Sequence, residues 1–156
     1  MGGRRLVVAV TVLALAVGVV SVAVAASPLL GETKSTAVHV GLNYSDTWDN
    51  AENSHSLAQR CGSQKNGHVF WFTWENTVDT DSFEVDTAGS SIDTVLSVYE
   101  GGKWLGCSDD YPGPPTDLGS SSRVNFHAQQ GKTYYFAVTS YDGDNGGSFN
   151  FHGPCC

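Results

Sequence analysis

The sequence predicts an all-β chain folded as a two-sheet antiparallel β-sandwich, jelly-roll-like, with about eight strands. Three observations point there. Beyond residue 26, apolar and polar residues alternate over short stretches, and no long stretch carries a helical period. Clusters of Gly, Asp, Asn, Ser and Pro separate these stretches, and those residue types close turns. The number and spacing of the stretches suit two facing sheets around one core.

Taken in order, the predicted strands are Thr36 to Leu42, His68 to Trp74, Ser82 to Asp86, Thr94 to Tyr99, Trp104 to Cys107, Arg123 to Ala128, Thr133 to Tyr141, and Ser148 to His152. Period-two alternation assigns their faces. Phe70, Phe72 and Trp74 share an inward face, which leaves Trp71 and Thr73 outside, so Trp71 must be covered by another segment or used for contact. Val124, Phe126 and Ala128 face the core in one strand, Tyr134, Phe136 and Val138 in the next, and Phe149 and Phe151 in the last. The polar stretch 43–66 predicts at most a short helical turn near Asn50 to Leu57, and Pro112-Gly-Pro-Pro115 predicts a rigid surface loop.

The N-terminus has a different character. Arg4-Arg5 precede an apolar run from Leu6 to about Val22 and small residues at Ala23-Val-Ala-Ala26, the pattern of an export signal over residues 1–26 with cleavage after Ala26. The run is about long enough to cross a bilayer, so an uncleaved anchor is the alternative; small residues where an anchor carries flanking charge favour cleavage. A short polar lead over 27–35 then precedes a single domain over 36–156. Once residues 1–26 are removed, 6 Lys+Arg stand against 16 Asp+Glu, a net charge of −10. That balance argues against nucleic acid and anionic lipid as partners, and no membrane association is expected after cleavage.

All four cysteines, Cys61, Cys107, Cys155 and Cys156, lie beyond the signal, where an even count reads as a disulfide framework in a secreted/extracellular protein. A vicinal Cys155–Cys156 bond needs a strained small ring. The favoured arrangement joins Cys61 and Cys107 to the two C-terminal cysteines. A Cys61–Cys107 bond beside a reactive terminal pair is the alternative.

Several motifs carry a resemblance. Ser91-Ile-Asp-Thr-Val-Leu-Ser-Val-Tyr-Glu-Gly101, then Cys107-Ser-Asp-Asp110, Ser121-Ser-Arg-Val-Asn-Phe126, Gly131-Lys-Thr-Tyr-Tyr-Phe-Ala-Val138 and Gly146-Gly-Ser-Phe149 together resemble the bacterial pre-peptidase C-terminal domain family. The resemblance runs from about Val69 to Phe151. It implies a small secreted β-sandwich that assists or targets an exported enzyme and does not itself catalyse. Collagenase modules of that family bind calcium through an acidic N-terminal segment, but residues 43–50 here lack its Glu-Pro-Asn pattern.

Two constellations could carry binding. Asp93, Asp109 and Asp110, with Asp142 and Asp144 in the last hairpin, offer the oxygen-rich set that calcium requires. Aspartates at strand edges also cap turns, which accounts for the same residues without a metal. Trp104, Tyr111 and Trp71, with Trp48, offer flat aromatic faces for a sugar ring or a protein side chain, and they equally suit core packing. Five histidines and many serines allow a hydrolytic triad by count, yet neither a G-x-S-x-G elbow nor an H-E-x-x-H helix occurs. The expectation is therefore a non-catalytic binding or accessory module for an extracellular polysaccharide or protein, with calcium as the candidate ion. The alternative is an interaction protein that pairs with or inhibits another secreted protein.

Overall fold

The computed structural model describes residues 29–57, 60–62, 67–79, 81–111, 119–143 and 145–155, apart from the side chain of residue 142. The export signal, the Pro-rich loop, Asp144 and Cys156 lie outside them.

The strands are β1 (Val38–His39), β2 (Ser45–Asp49), β3 (Gly67–Glu75), β4 (Ser82–Asp86), β5 (Thr94–Glu100), β6 (Lys103–Ser108), β7 (Arg123–His127), β8 (Thr133–Ser140) and β9 (Ser148–Cys155). They form a five-stranded sheet in the order β1-β3-β8-β5-β6 and a four-stranded sheet in the order β2-β9-β4-β7. With β1 set aside, the eight remaining strands follow the jelly-roll order, first-eighth-third-sixth facing second-seventh-fourth-fifth. Every pairing is antiparallel except β1 with β3, which runs parallel.

The predicted faces hold. Phe70, Phe72, Trp74, Val124, Phe126, Ala128, Tyr134, Phe136, Val138, Phe149 and Phe151 all lie in one buried cluster between the sheets. Its centre is aromatic: Phe72 stacks on Phe151 across the sandwich with ring centres 4.1 Å apart, and Trp74 meets Phe83 edge-on at 4.8 Å. Such pairs add to the burial of their area.

The first strand is shorter than predicted. Of Thr36 to Leu42, only Val38–His39 pairs as strand, preceded by a 3-10 turn at Lys34–Thr36 and followed by a turn in which Asn43 adopts φ 55°. A ninth strand, β2, lies in the stretch predicted to be irregular. Near Asn50 to Leu57, where the sequence predicts at most a short helical turn, one turn closes, the Asn53 N–H donating to the Asn50 carbonyl at 3.0 Å, and no helix forms. Buried side-chain amides replace helical hydrogen bonds there: Asn50 Nδ2 donates to His68 O, Asn50 Oδ1 accepts from the Gly147 N–H, and Asn53 Nδ2 donates to Val69 O.

The residues read as a polar lead are built into the fold. The Gly31 carbonyl accepts from the Trp71 N–H, and the Glu32 carboxylate accepts from the Leu29 and Ser54 N–H groups, the Ser54 hydroxyl and His55 Nδ1. Those bonds, His55 foremost, then Ser54 and Leu29, lower the Glu32 pKa to about 2. Among the described residues no helix is long and apolar enough to cross a membrane.

Candidate functional site

Register brings one end of the five-stranded sheet together. Gly67 at the start of β3 and Thr94 at the start of β5 both pair with Ser140 at the end of β8, while Ser108 at the end of β6 pairs with Leu96. Asp93 immediately precedes β5, and Asp109 and Asp110 immediately follow β6. Residues 16 apart in sequence therefore meet, and one carboxylate oxygen from each of the three lies within 4.8 Å of the others. Asp110 is exposed, whereas Asp109 is half-buried, and its Oδ1 is shut off from solvent without a hydrogen-bond partner among the described residues. Burial, and then the negative charge of Asp110, push the Asp109 carboxyl above the usual carboxylate range. A carboxylate so placed gains from a cation that shares it with its neighbours.

Behind the acids lies a buried hydroxyl network. Thr87 and Thr94 share a hydrogen bond of 2.6 Å, the Ser122 N–H donates to Thr87 Oγ1 at 2.8 Å, and the Ser122 hydroxyl reaches both the Thr94 and the Asp109 carbonyls. Thr87, Thr94 and Ser122 are each at most 1% exposed. Ser122 thus ties the main chain of Asp109 to the strand that follows Asp93.

The disulfide corrects the sequence-based preference: Cys61 bonds Cys107, closing a sequence separation of 46, and neither joins the C-terminal pair. Connectivity follows which strand the long polar stretch lies across, which cysteine spacing does not encode. Cys155 ends β9 with its sulfur 3.7 Å from Glu84 O.

The aromatic candidates separate. Trp104 is half-buried on β6, opposite Tyr99, and Arg60 lies over its ring at 4.7 Å. Tyr111 is also half-buried, with Arg123 over its ring at 4.3 Å and the Arg123 Nε 3.4 Å from Glu84. Arg60 and Arg123 are the only arginines beyond the N-terminal pair, and each stacks on one of the two rings. Trp71 faces outward as predicted, but it is covered, at 6% exposure, within a small second cluster that includes Val69, Ala137, Leu57 and Tyr99. Lys34 caps it, which removes Trp71 from the residues open to a ligand. Trp48 packs against Phe70 and Phe72, and its Nε1 donates to the Tyr44 hydroxyl. It belongs to the core edge.

Other polar groupings have structural explanations. Ser45 Oγ lies 2.8 Å from His152 Nδ1, and His152 Nε2 faces the Ala88 carbonyl, but Ser45 and His152 are directly opposed register partners on an exposed sheet face. Two open clefts among the described residues, about 190 Å³ beside Glu84 and Cys155 and about 500 Å³ beside Asp79 and Asp81, contain neither the acid trio nor Trp104 or Tyr111. The candidate site is a rim. The structure brings together the three aspartates the sequence offered, while Arg60, Gly62, Ser122 and Arg123 meet these acids or the two rings only through tertiary contacts that the sequence did not show.

The fold and this rim define a jelly-roll β-sandwich with a disulfide-stapled acidic end. No family model matches the chain, and no curated protein matches it. Among solved structures, the chain is similar to the pre-peptidase C-terminal domain of a collagenase from Bacillus anthracis, with TM-score 0.48 and 15% identity, over 74% of this chain and 91% of that one. That domain is of the family which the motifs of this chain resemble.

Proposed function

We propose that this protein is a non-catalytic, secreted binding module that holds an extracellular polysaccharide or protein on the rim formed by Asp93, Asp109, Asp110, Trp104 and Tyr111, with a divalent cation of the calcium type at the acids. The observation that carries it is the convergence of three carboxylates, one of them with a buried oxygen that no described group satisfies. Two oxygens bound to one calcium from opposite sides stand about 4.8 Å apart, so the spacing of the trio fits a single ion. Asp93, Asp109 and Asp110 would hold it, and ligand hydroxyls, carbonyls or water would complete its oxygen shell. Tyr111 follows the acids directly in sequence, while Trp104 lies further along β6, opposite Tyr99 and five residues before Asp109. An ion with open coordination suits a polyhydroxylated chain, whose hydroxyls bind the ion while its C–H face packs on the part of the Tyr111 or Trp104 ring that the stacked Arg123 or Arg60 leaves open.

A polymer fits better than a flat protein interface, because the exposed large hydrophobics among the described residues are Leu29, Leu30 and Leu42, none on this rim. The disulfide supports an oxidising, extracytoplasmic setting. The test is retention of the domain 27–156 on cellulose, chitin, peptidoglycan and collagen, each with calcium and with chelator. Calcium-dependent retention on one polymer, lost in Trp104→Ala, supports the proposal. Retention on none of them contradicts it.

A further inference from the structure

Residues 29–40 form an arm laid against the five-stranded sheet. Val38 and His39 add a parallel strand to the edge of β3, opposite Phe72 and Thr73, the Val40 N–H donates to the Thr73 carbonyl, and the Gly31 carbonyl accepts from the Trp71 N–H. Val40 enters the core. The Lys34 ammonium sits among the Trp71, Tyr99 and Tyr135 rings and donates to the Gly101 carbonyl, while the Glu32 carboxylate accepts from Ser54 and His55. All these partners belong to the rest of the sandwich. Such contacts are the means by which a sheet edge takes up an extended peptide: main-chain bonds give affinity, and side-chain pockets, here an ammonium cage and a core slot, give specificity.

The arm also carries its own internal bonds, from the Gly31 N–H to the Thr36 carbonyl and from the Leu29 N–H to the Glu32 carboxylate, and these travel with it. Its join to the rest of the chain is short. Gly41, Leu42 and Asn43 are all exposed, and they carry the chain from β1 at the edge of one sheet toward β2 at the edge of the other. Asn43 turns this corner at φ 55°, a left-handed conformation that costs energy for a residue other than glycine. Short hinges closed under strain favour exchange of the element they hold. The large hydrophobics exposed among the described residues, Leu29, Leu30 and Leu42, all lie on the arm and this hinge. Two extended hinges running past one another about a two-fold axis would cover the Leu42 side chains.

We propose that the arm is exchanged between two copies of this chain, giving a two-fold dimer in which Lys34 of each copy fills the Trp71, Tyr99 and Tyr135 cage of the other. The groove along β3 is then an interaction surface whose partner is the same arm from a second copy. The dimer keeps every arm contact of the monomer and releases two strained hinges, so the balance between the two forms is set by residues 41–43 and by protein concentration.

The test measures mass against concentration by sedimentation equilibrium for the oxidised domain 27–156 as wild type, Asn43→Gly and Asn43→Val, with circular dichroism reporting the sheet. Glycine adopts a φ near 55° freely and a β-branched residue resists it. The expected dimerisation constant therefore rises from Asn43→Gly through wild type to Asn43→Val, by about tenfold or more at the last step. Deleting Gly41 and Leu42 leaves a hinge too short to return the arm to its own copy, so that chain should be dimeric wherever it folds. Constants in this order, or a dimeric shortened chain beside a monomeric wild type, support exchange. A dimer of equal constant in wild type, Asn43→Gly and Asn43→Val lies on another surface and overturns it. Monomers throughout, or a shortened chain that folds as a monomer, overturn it as well.

Discussion

The ammonium of Lys34 stands 5.0 Å from the centre of the Trp71 ring, and Tyr99 and Tyr135, at 4.6 and 5.1 Å, complete a cage around it. The same nitrogen donates to the Gly101 carbonyl at 2.9 Å. Three adjacent strands, β3, β8 and β5, each contribute one ring, so the 3-10 turn at Lys34–Thr36 is pinned across the outer face of the sheet. Partial burial lowers the Lys34 pKa.

Lys34→Met keeps much of the aliphatic stem and removes the charge and the donor. The expected loss of stability is about 1–2 kcal/mol, the range for a partly desolvated cation over aromatic rings, measured by urea unfolding. Trp71→Ala is expected to cost more, roughly 3 kcal/mol or above, as a large-to-small change at a buried ring. It should leave polymer retention intact in whatever fraction remains folded, since Trp71 is covered.

Glu32 gives the stability a pH signature. Its folded-state pKa is depressed from 4.5 to about 2, so its contribution is fully present above pH 4.5 and is lost as pH falls from there toward 2. The stability gap between wild type and Glu32→Gln should therefore be constant above that window and close within it. Denaturant unfolding of both proteins at a series of pH values reads this directly; a gap that persists unchanged below pH 2 contradicts it.

Ser122→Ala removes a buried hydroxyl whose single proton serves the Thr94 or the Asp109 carbonyl, and should cost about 1–3 kcal/mol because a buried acceptor loses its partner. It should also weaken calcium binding, since the Asp109 main chain loses its tie to the Thr94 strand. Calcium affinity equal to wild type would separate the network from the site.

Burial on one face of each strand made much of this fold legible. Phe70 to Trp74, Val124 to Ala128, Tyr134 to Val138 and Phe149 to Phe151 alternate because each strand has one core face, and the period assigned every one of those residues correctly. Strand β2 escaped because it is an edge strand whose outer face is in water: in Ser45-Asp46-Thr47-Trp48-Asp49 only Trp48 turns toward the core, and one residue is no period. Near Asn50 to Leu57 only a single turn forms, within the bound the sequence set, since buried Asn50 and Asn53 bond the main chain of β3, a tertiary contact with no local signature. At the rim, Asp93, Asp109 and Asp110 were visible because strand ends carry turn residues. Arg60, Gly62 and Ser122 were not, because they arrive from two other segments, residues 60–62 and the lead into β7. The disulfide partner of Cys61 was likewise set by where residues 60–62 cross β6.

The most direct test of a cation-binding rim is the melting temperature of the oxidised domain in calcium and in chelator, for wild type and for Asp110→Asn. An ion that binds only the native state stabilises it by mass action, about 2.7 kcal/mol at a concentration 100 times Kd. The expected result is a rise in Tm with calcium in wild type that is largely lost in Asp110→Asn, whose exposed side chain leaves the core untouched. A wild-type Tm that is identical in calcium and in chelator would contradict the account.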